Sequence, residues 1–204
     1  MKIFIDIETI PNIQHIADNK KSAILELFKK KHNKDDDKDW LNNQWALYPE
    51  TGTIKAIWYS YFADIQIDKI HIWVEKDLLQ DFHFLCDQSN ITFIWRNIKK
   101  FDIPYIIKSF AMYDMPVPIA LQWYANKKPR EVNVIDLMEI WSAWNGKRDS
   151  LESCCLSLWL DNPKDNNHGD QVKNMSDDNI SIYLSKDIQA IRDIYTKFIN
   201  LKII

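Results

Sequence analysis

The sequence predicts an α/β domain, a mixed central β-sheet of about five strands flanked by α-helices, on three observations. Short apolar runs rich in Ile, Val, Phe, Trp and Tyr recur from residue 2 to about residue 135. Between them lie stretches whose apolar residues fall at helical spacing, and the chain closes on a long amphipathic helix. With 204 residues, 46% hydrophobic and 27% charged, the chain fits one domain, residues 1–204, around one core. Nine Trp and nine Phe supply the large groups that fill it.

The first strand is the run from Met1 to Glu8. Ile3, Phe4, Ile5 and Ile7 are apolar and mostly β-branched, and Asp6 and Glu8 stand at the C-terminal end. Strand side chains alternate faces, so the two carboxylates project from one side. Two like charges packed within a few Å are costly unless protonated, paired or bound to a cation. Mg²⁺ and Mn²⁺ take such oxygen ligands and serve phosphate chemistry. A strand end with both acids in water fits the same spacing, because with 29 acidic residues an Asp-x-Glu arises by chance roughly once.

Thr9 to Asn12 reads as a turn, Ser22 to Lys30 as a short amphipathic helix, and Lys29 to Asp39 as a solvated loop in which Asp35, Asp36 and Asp37 offset Lys29, Lys30 and Lys31. Pro49-Glu50-Thr51-Gly52 is a turn into a second strand, Thr53 to Ala63. A third, Ile65 to Val74, completes an antiparallel meander. Glu75 to Asp87 is helical, with Leu78, Leu79, Phe82 and Leu85 on one face, and Ile91 to Trp95 is a short buried strand. A helix from Phe101 to about Tyr113 tolerates Pro104 in its first turn and puts Asp102 at its N-terminus, as cap or as ligand. Glu131 to Val134 is a fifth short strand, and Ile135 to Trp144 continues as strand end and helix. Ser150 to Leu160 is a helix begun by Asp149 or Ser150, and Asp161 to Lys173, with His168-Gly169-Asp170, is a polar loop. The last helix starts at the Ser176-Asp177-Asp178 cap cluster and runs to about Leu201. On it Tyr183 and Asp187 are four apart on one face, as a core Tyr with a surface Asp or as a working pair.

A net charge of −3 excludes a broad basic surface that holds nucleic acid by phosphate neutralisation alone, but not an acidic site offset by cations. No His or Cys pair has zinc-like spacing. Cys154 and Cys155 are adjacent and Cys86 is distant, which suits reduced thiols in a cytoplasmic protein. The strand that opens the chain leaves no leader before it, and no run approaches the roughly 20 apolar residues of a membrane span.

Asp-x-Glu on the first strand, Asn97-x-x-x-Phe101-Asp102 after the fourth, and Tyr183-x-x-x-Asp187 in the last helix together resemble the tyrosine-type DEDD 3′-to-5′ exonucleases, which have a ribonuclease H-like fold. Pro49-Glu50-Thr51-Gly52, Phe101-Asp102-Ile103-Pro104, Ser150-Leu151 and Gly169-Asp170-Gln171-Val172 look like the stand-alone predicted exonucleases related to the exonuclease domain of B-family DNA polymerases. The resemblance implies that Asp6, Glu8, Asp102 and Asp187 bind two divalent cations, Mg²⁺ or Mn²⁺, and that Tyr183 orients the attacking water. It implies a partner as well, the 3′ end of single-stranded nucleic acid, with DNA favoured over RNA. It further implies that Asn97 supports the site, and Arg96, Lys99 and Lys100 beside it are candidates for phosphate contacts. One departure stands out: the family commonly has Gly-His before the motif Asn, and this chain has Trp95-Arg96. A short-RNA exonuclease and a non-catalytic nucleic-acid-binding module that kept the fold are the alternatives.

Overall fold

A computed structural model describes residues 1–12, 18–32, 44–63, 69–71, 75–122, 124, 133–143, 149–163 and 169–204. Five strands, β1 (Lys2–Pro11), β2 (Gly52–Tyr61), β3 (Lys69–His71), β4 (Thr92–Trp95) and β5 (Val134–Asp136), form one sheet in the order β3-β2-β1-β4-β5. The first three pair antiparallel, giving the expected meander, whereas β4 and β5 run parallel to β1. The helices are α1 (Asp18–His32), α2 (Glu75–Cys86), α3 (Asp102–Met112), α4 (Ile119–Gln122), α5 (Leu137–Trp141), α6 (Leu151–Ser157) and α7 (Asp177–Asn200), with a 3-10 turn at Gly169–Asn174. This mixed sheet flanked by helices is the predicted class, a ribonuclease H-like arrangement.

β1 lies at the centre, and both its faces are covered. Ile3, Ile5 and Ile7 are buried on one face, where Phe93, the parallel neighbour of Ile3, stacks on Phe82 of α2 at 6.3 Å. Phe4 points the other way, edge-on to Tyr195 of α7 at 5.6 Å. Both faces are apolar, which explains the near-continuous hydrophobic run of this strand.

Several boundaries differ from expectation. Thr9 to Pro11 continue β1, paired with Ile54, Thr53 and Gly52, because the ladder shifts register directly after Glu8 and then resumes. Glu8 faces Ala56 and Thr9 faces Ile54, so Lys55 is the extra, bulged residue. Asp102 is not the cap of α3: Phe101 takes that position without a side-chain cap bond, and Asp102 is the first helical residue. Ser150, not Asp149, caps α6, its hydroxyl accepting from the Ser153 N–H at 3.0 Å. Gly169–Asn174 is helical rather than open loop, since Val172 is buried against the core. The stretch around Asp35 to Asp37, most of the Ile65 to Val74 run, the Glu131 start of the fifth strand and His168 lie outside the described residues.

Candidate metal centre

Alternation along β1 puts Phe4, Asp6 and Glu8 on the face that α7 covers, and the two elements run in opposite directions. From Phe4 to Glu8 the strand advances about 13 Å, and from Tyr195 back to Asp187 the helix covers about 12 Å. Packing Tyr195 on Phe4 therefore delivers Asp187 to Asp6 and Glu8. A second anchor holds this alignment: Arg192 bonds the Ser60 hydroxyl and the Tyr61 carbonyl and lies over the Phe4 ring, 5.4 Å from its centroid. The cross-strand neighbours suit the site. Trp58, fully buried, stands opposite Asp6, and Ala56 opposite Glu8 leaves room there.

Carboxylate oxygens of Asp6, Glu8 and Asp187 lie within 4.8 Å of one another. Asp6 and Asp187 are buried and Glu8 is half-buried, so the cluster opens to solvent on the Glu8 side. Asp102 is not within that 4.8 Å group. It comes up to the main chain of β1 at Ile7, the residue between Asp6 and Glu8, and is 2% exposed. Burial and the neighbouring Asp136 push its pKa up to about 7, opposed by hydrogen bonding from its own main chain and that of Ile7. Its Oδ1 is buried and accepts no hydrogen bond.

A buried carboxylate oxygen without a donor, beside three converging acids, is what an oxygen-binding cation resolves. The all-oxygen donor set fits a hard divalent ion and does not fit zinc in a thiolate or imidazole cage. Tyr183, one turn before Asp187, is 5% exposed and donates its hydroxyl to the Asp187 carboxylate. Burial, then the charges of Asp187, Glu8 and Asp6, hold the phenol far above its ordinary pKa of 10, so it stays a hydrogen-bond donor.

The loop after β4 lies beside Asp102. Asn97 has a left-handed backbone, φ 62°, and its Oδ1 is buried without a donor. Arg96 is half-buried near Cys154, Asp136, Asp149 and Cys155, and burial holds its guanidinium below the usual pKa. Trp95 is buried in the core. Lys99 pairs with Glu139 at 2.7 Å with its side chain only 10% exposed, while Lys100 is exposed.

Two carboxylates that sequence reasoning passed over organise these elements. Asp136, 3% exposed, accepts from the N–H groups of Asn97 (2.9 Å), Lys99 (3.3 Å) and Met138 (3.0 Å), capping α5 and fixing the Asn97 loop. Its signal was legible, an Asp between a short strand and a helical run. Glu75, 8% exposed, accepts from Thr53, Ile54, Ser109 and Tyr113. A Glu in the first turn of a helix is ordinary, so nothing in the sequence marked it.

Fold and cluster define a ribonuclease H-like α/β protein whose buried Asp6 and Asp187 and half-buried Glu8 could bind metal. Among solved structures it is similar to the family B DNA polymerase from the hyperthermophilic archaeon Pyrobaculum calidifontis, with a TM-score of 0.62 and 12% sequence identity. The match covers 99% of this chain and 25% of the polymerase, so the chain spans about a quarter of that protein's length, and at this identity the likeness is one of fold. No family model and no curated protein matches the sequence. No described helix is long and apolar enough to cross a membrane.

Proposed function

We propose that the chain is a single-domain, cytoplasmic, metal-dependent 3′-to-5′ exonuclease of the DEDD type that hydrolyses the terminal phosphodiester of single-stranded DNA. The observation that carries the reading is the meeting of Asp6, Glu8 and Asp187 within 4.8 Å, next to a buried Asp102 oxygen that has no donor. These four residues would hold the cations. When bound, two Mg²⁺ or Mn²⁺ would supply Lewis-acid activation of a water and neutralise charge on the phosphodiester.

The side chains do the rest. Tyr183, held protonated with its O–H on Asp187, orients the attacking water by accepting a hydrogen bond at its hydroxyl oxygen and does not abstract its proton. Glu8, the least buried of the acids, faces the terminal 3′-hydroxyl. Asn97 supports the strand's backbone, and the exposed Lys100 contacts phosphate, with Arg96 behind it. The ion pair of Lys99 with Glu139 makes Lys99 a brace of the same loop.

End-labelled single-stranded DNA and RNA of matched sequence, incubated with Mn²⁺ or with chelator, test the reading. One-nucleotide shortening from the 3′ end, faster on DNA and abolished by chelator, is expected. Asp6→Ala and Asp187→Ala should lower the rate about a thousandfold or more while circular dichroism stays native. Undiminished cleavage by either variant would sink the assignment, and faster cleavage of RNA would move the substrate to RNA.

A further inference from the structure

We infer that Glu75 is a positioning residue for the acidic site, setting the reach of Glu8 and the seat of the helix that carries Asp102. This rests on the metal-dependent reading above. Among the described residues β3 pairs with Ile57 to Tyr59, and the outer edge of β2 at Thr53 and Ile54 has no strand partner among them. Glu75 takes that place. Its Oε1 accepts from the Ile54 N–H (3.0 Å) and the Ser109 hydroxyl (3.0 Å), and its Oε2 from the Thr53 hydroxyl (2.6 Å) and the Tyr113 hydroxyl (3.0 Å). Four donors on one buried carboxylate account for its charge and join β2 to α3.

Both ends of this junction lead to the acids. Thr53 and Ile54 pair with Ile10 and Thr9, and the next pair, across the bulge, is Ala56 with Glu8. A bulge turns the side chains of its own strand to the other face, so whichever β2 residue is bulged decides which β2 side chain stands opposite Glu8, here the small Ala56. Glu75 grips a side chain and a main-chain N–H on consecutive residues, which selects Lys55 as the bulge. Lys55 in turn reaches Asp177, the first residue of α7, at 3.2 Å. On the other side, Ser109 and Tyr113 lie on and just past the rigid helix that begins at Asp102.

Mn²⁺ binding to the full chain, followed by isothermal titration calorimetry alongside melting in chelator, tests this for wild type, Glu75→Ala, Glu75→Gln and Asp6→Asn. Glu75→Ala should weaken Mn²⁺ binding about tenfold in protein that is still folded, as lost outer supports of metal ligands do. Glu75→Gln should restore it, because its carbonyl can accept from Ile54 and Ser109 and its amide can donate to the Thr53 and Tyr113 oxygens. If Glu75→Ala fails to fold, Ser109→Ala and Tyr113→Phe each remove one donor, and a weakening of about twofold to threefold in each is expected. Wild-type affinity in Glu75→Ala, or in both single-donor variants, overturns the inference alone. No Mn²⁺ binding by wild type, with Asp6→Asn indistinguishable from it, overturns the metal reading and this inference with it.

Discussion

Burial gives Asp102 an electrostatic cost that a change of pH can read. Its pKa in the fold, about 7, lies above the ordinary 3.8, so between these values the folded chain binds more protons than the unfolded one. Stability from this group is therefore greatest below about pH 4 and is lost as pH rises toward 7. Asn in its place removes the ionisation but keeps the shape. In metal-free buffer, Asp102→Asn and wild type should be about equally stable near pH 4, and the variant should be ahead by on the order of a few kcal/mol at pH 7.5. Urea melts across this range measure the difference, and a gap that does not widen with pH would contradict it. On the proposed metal role, the same variant should also lose nuclease activity.

At the level of elements, β2 from Gly52 to Ile54 is the seat on which α3 rests. Gly52 begins the strand with its N–H bonded to the Tyr48 carbonyl at 2.7 Å, and the Thr51 hydroxyl holds the same turn through the Trp45 carbonyl at 2.9 Å. A Cβ on Gly52 would lie 2.6 Å from the Tyr105 hydroxyl, 2.8 Å from the Trp45 carbonyl oxygen and 3.0 Å from that of Ala46. Two of these are main-chain atoms of the turn itself, so the clash cannot be relieved by a side-chain rotation. Gly52→Ala should cost about 1–3 kcal/mol by denaturant midpoint. The Tyr105 hydroxyl is buried without a hydrogen-bond partner, so Tyr105→Phe should be close to neutral and should recover part of the loss in the double variant. A neutral Gly52→Ala would show that the seat is not tight. The Pro49-Glu50-Thr51-Gly52 turn is thus a docking surface for a helix as well as a chain reversal, and Glu50 adds an exposed bridge to Lys108 of that helix at 3.1 Å.

For the whole molecule, β1 and the C-terminal helix α7 bring Asp6, Glu8 and Asp187 to one point, so cations bound there would tie distant segments together. Mn²⁺ at about a hundred times its dissociation constant should stabilise the fold by about 2.7 kcal/mol, roughly 5–10 °C in melting temperature for a chain of this size. The shift should be larger at pH 8 than at pH 5, because protons compete for the carboxylates, and should vanish in Asp6→Asn. Differential scanning fluorimetry with and without chelator reads this directly, and an equal shift at both pH values would point to ions bound elsewhere.

The α/β class, the meander, the long closing helix and the three acids that meet, Asp6, Glu8 and Asp187, were legible in the sequence. Those features are written in local patterns: alternation along β1, helical spacing along α7, and motif residues at recognisable offsets. The tertiary structure decided what those patterns could not carry. The continuation of β1 past Glu8 depends on a bulge in a partner more than forty positions away, and the approach of Asp187 to Asp6 depends on Tyr195 and Arg192 docking on Phe4. Likewise, local pattern leaves Asp102 open between cap and ligand, and only the fold makes it a helical residue buried against Ile7; Glu75 reads as an ordinary first-turn acid, and only the fold converges four donors on it. The reason is physical: periodicity records which face a residue takes within its own element, while desolvation and pairing depend on what another element brings to that face.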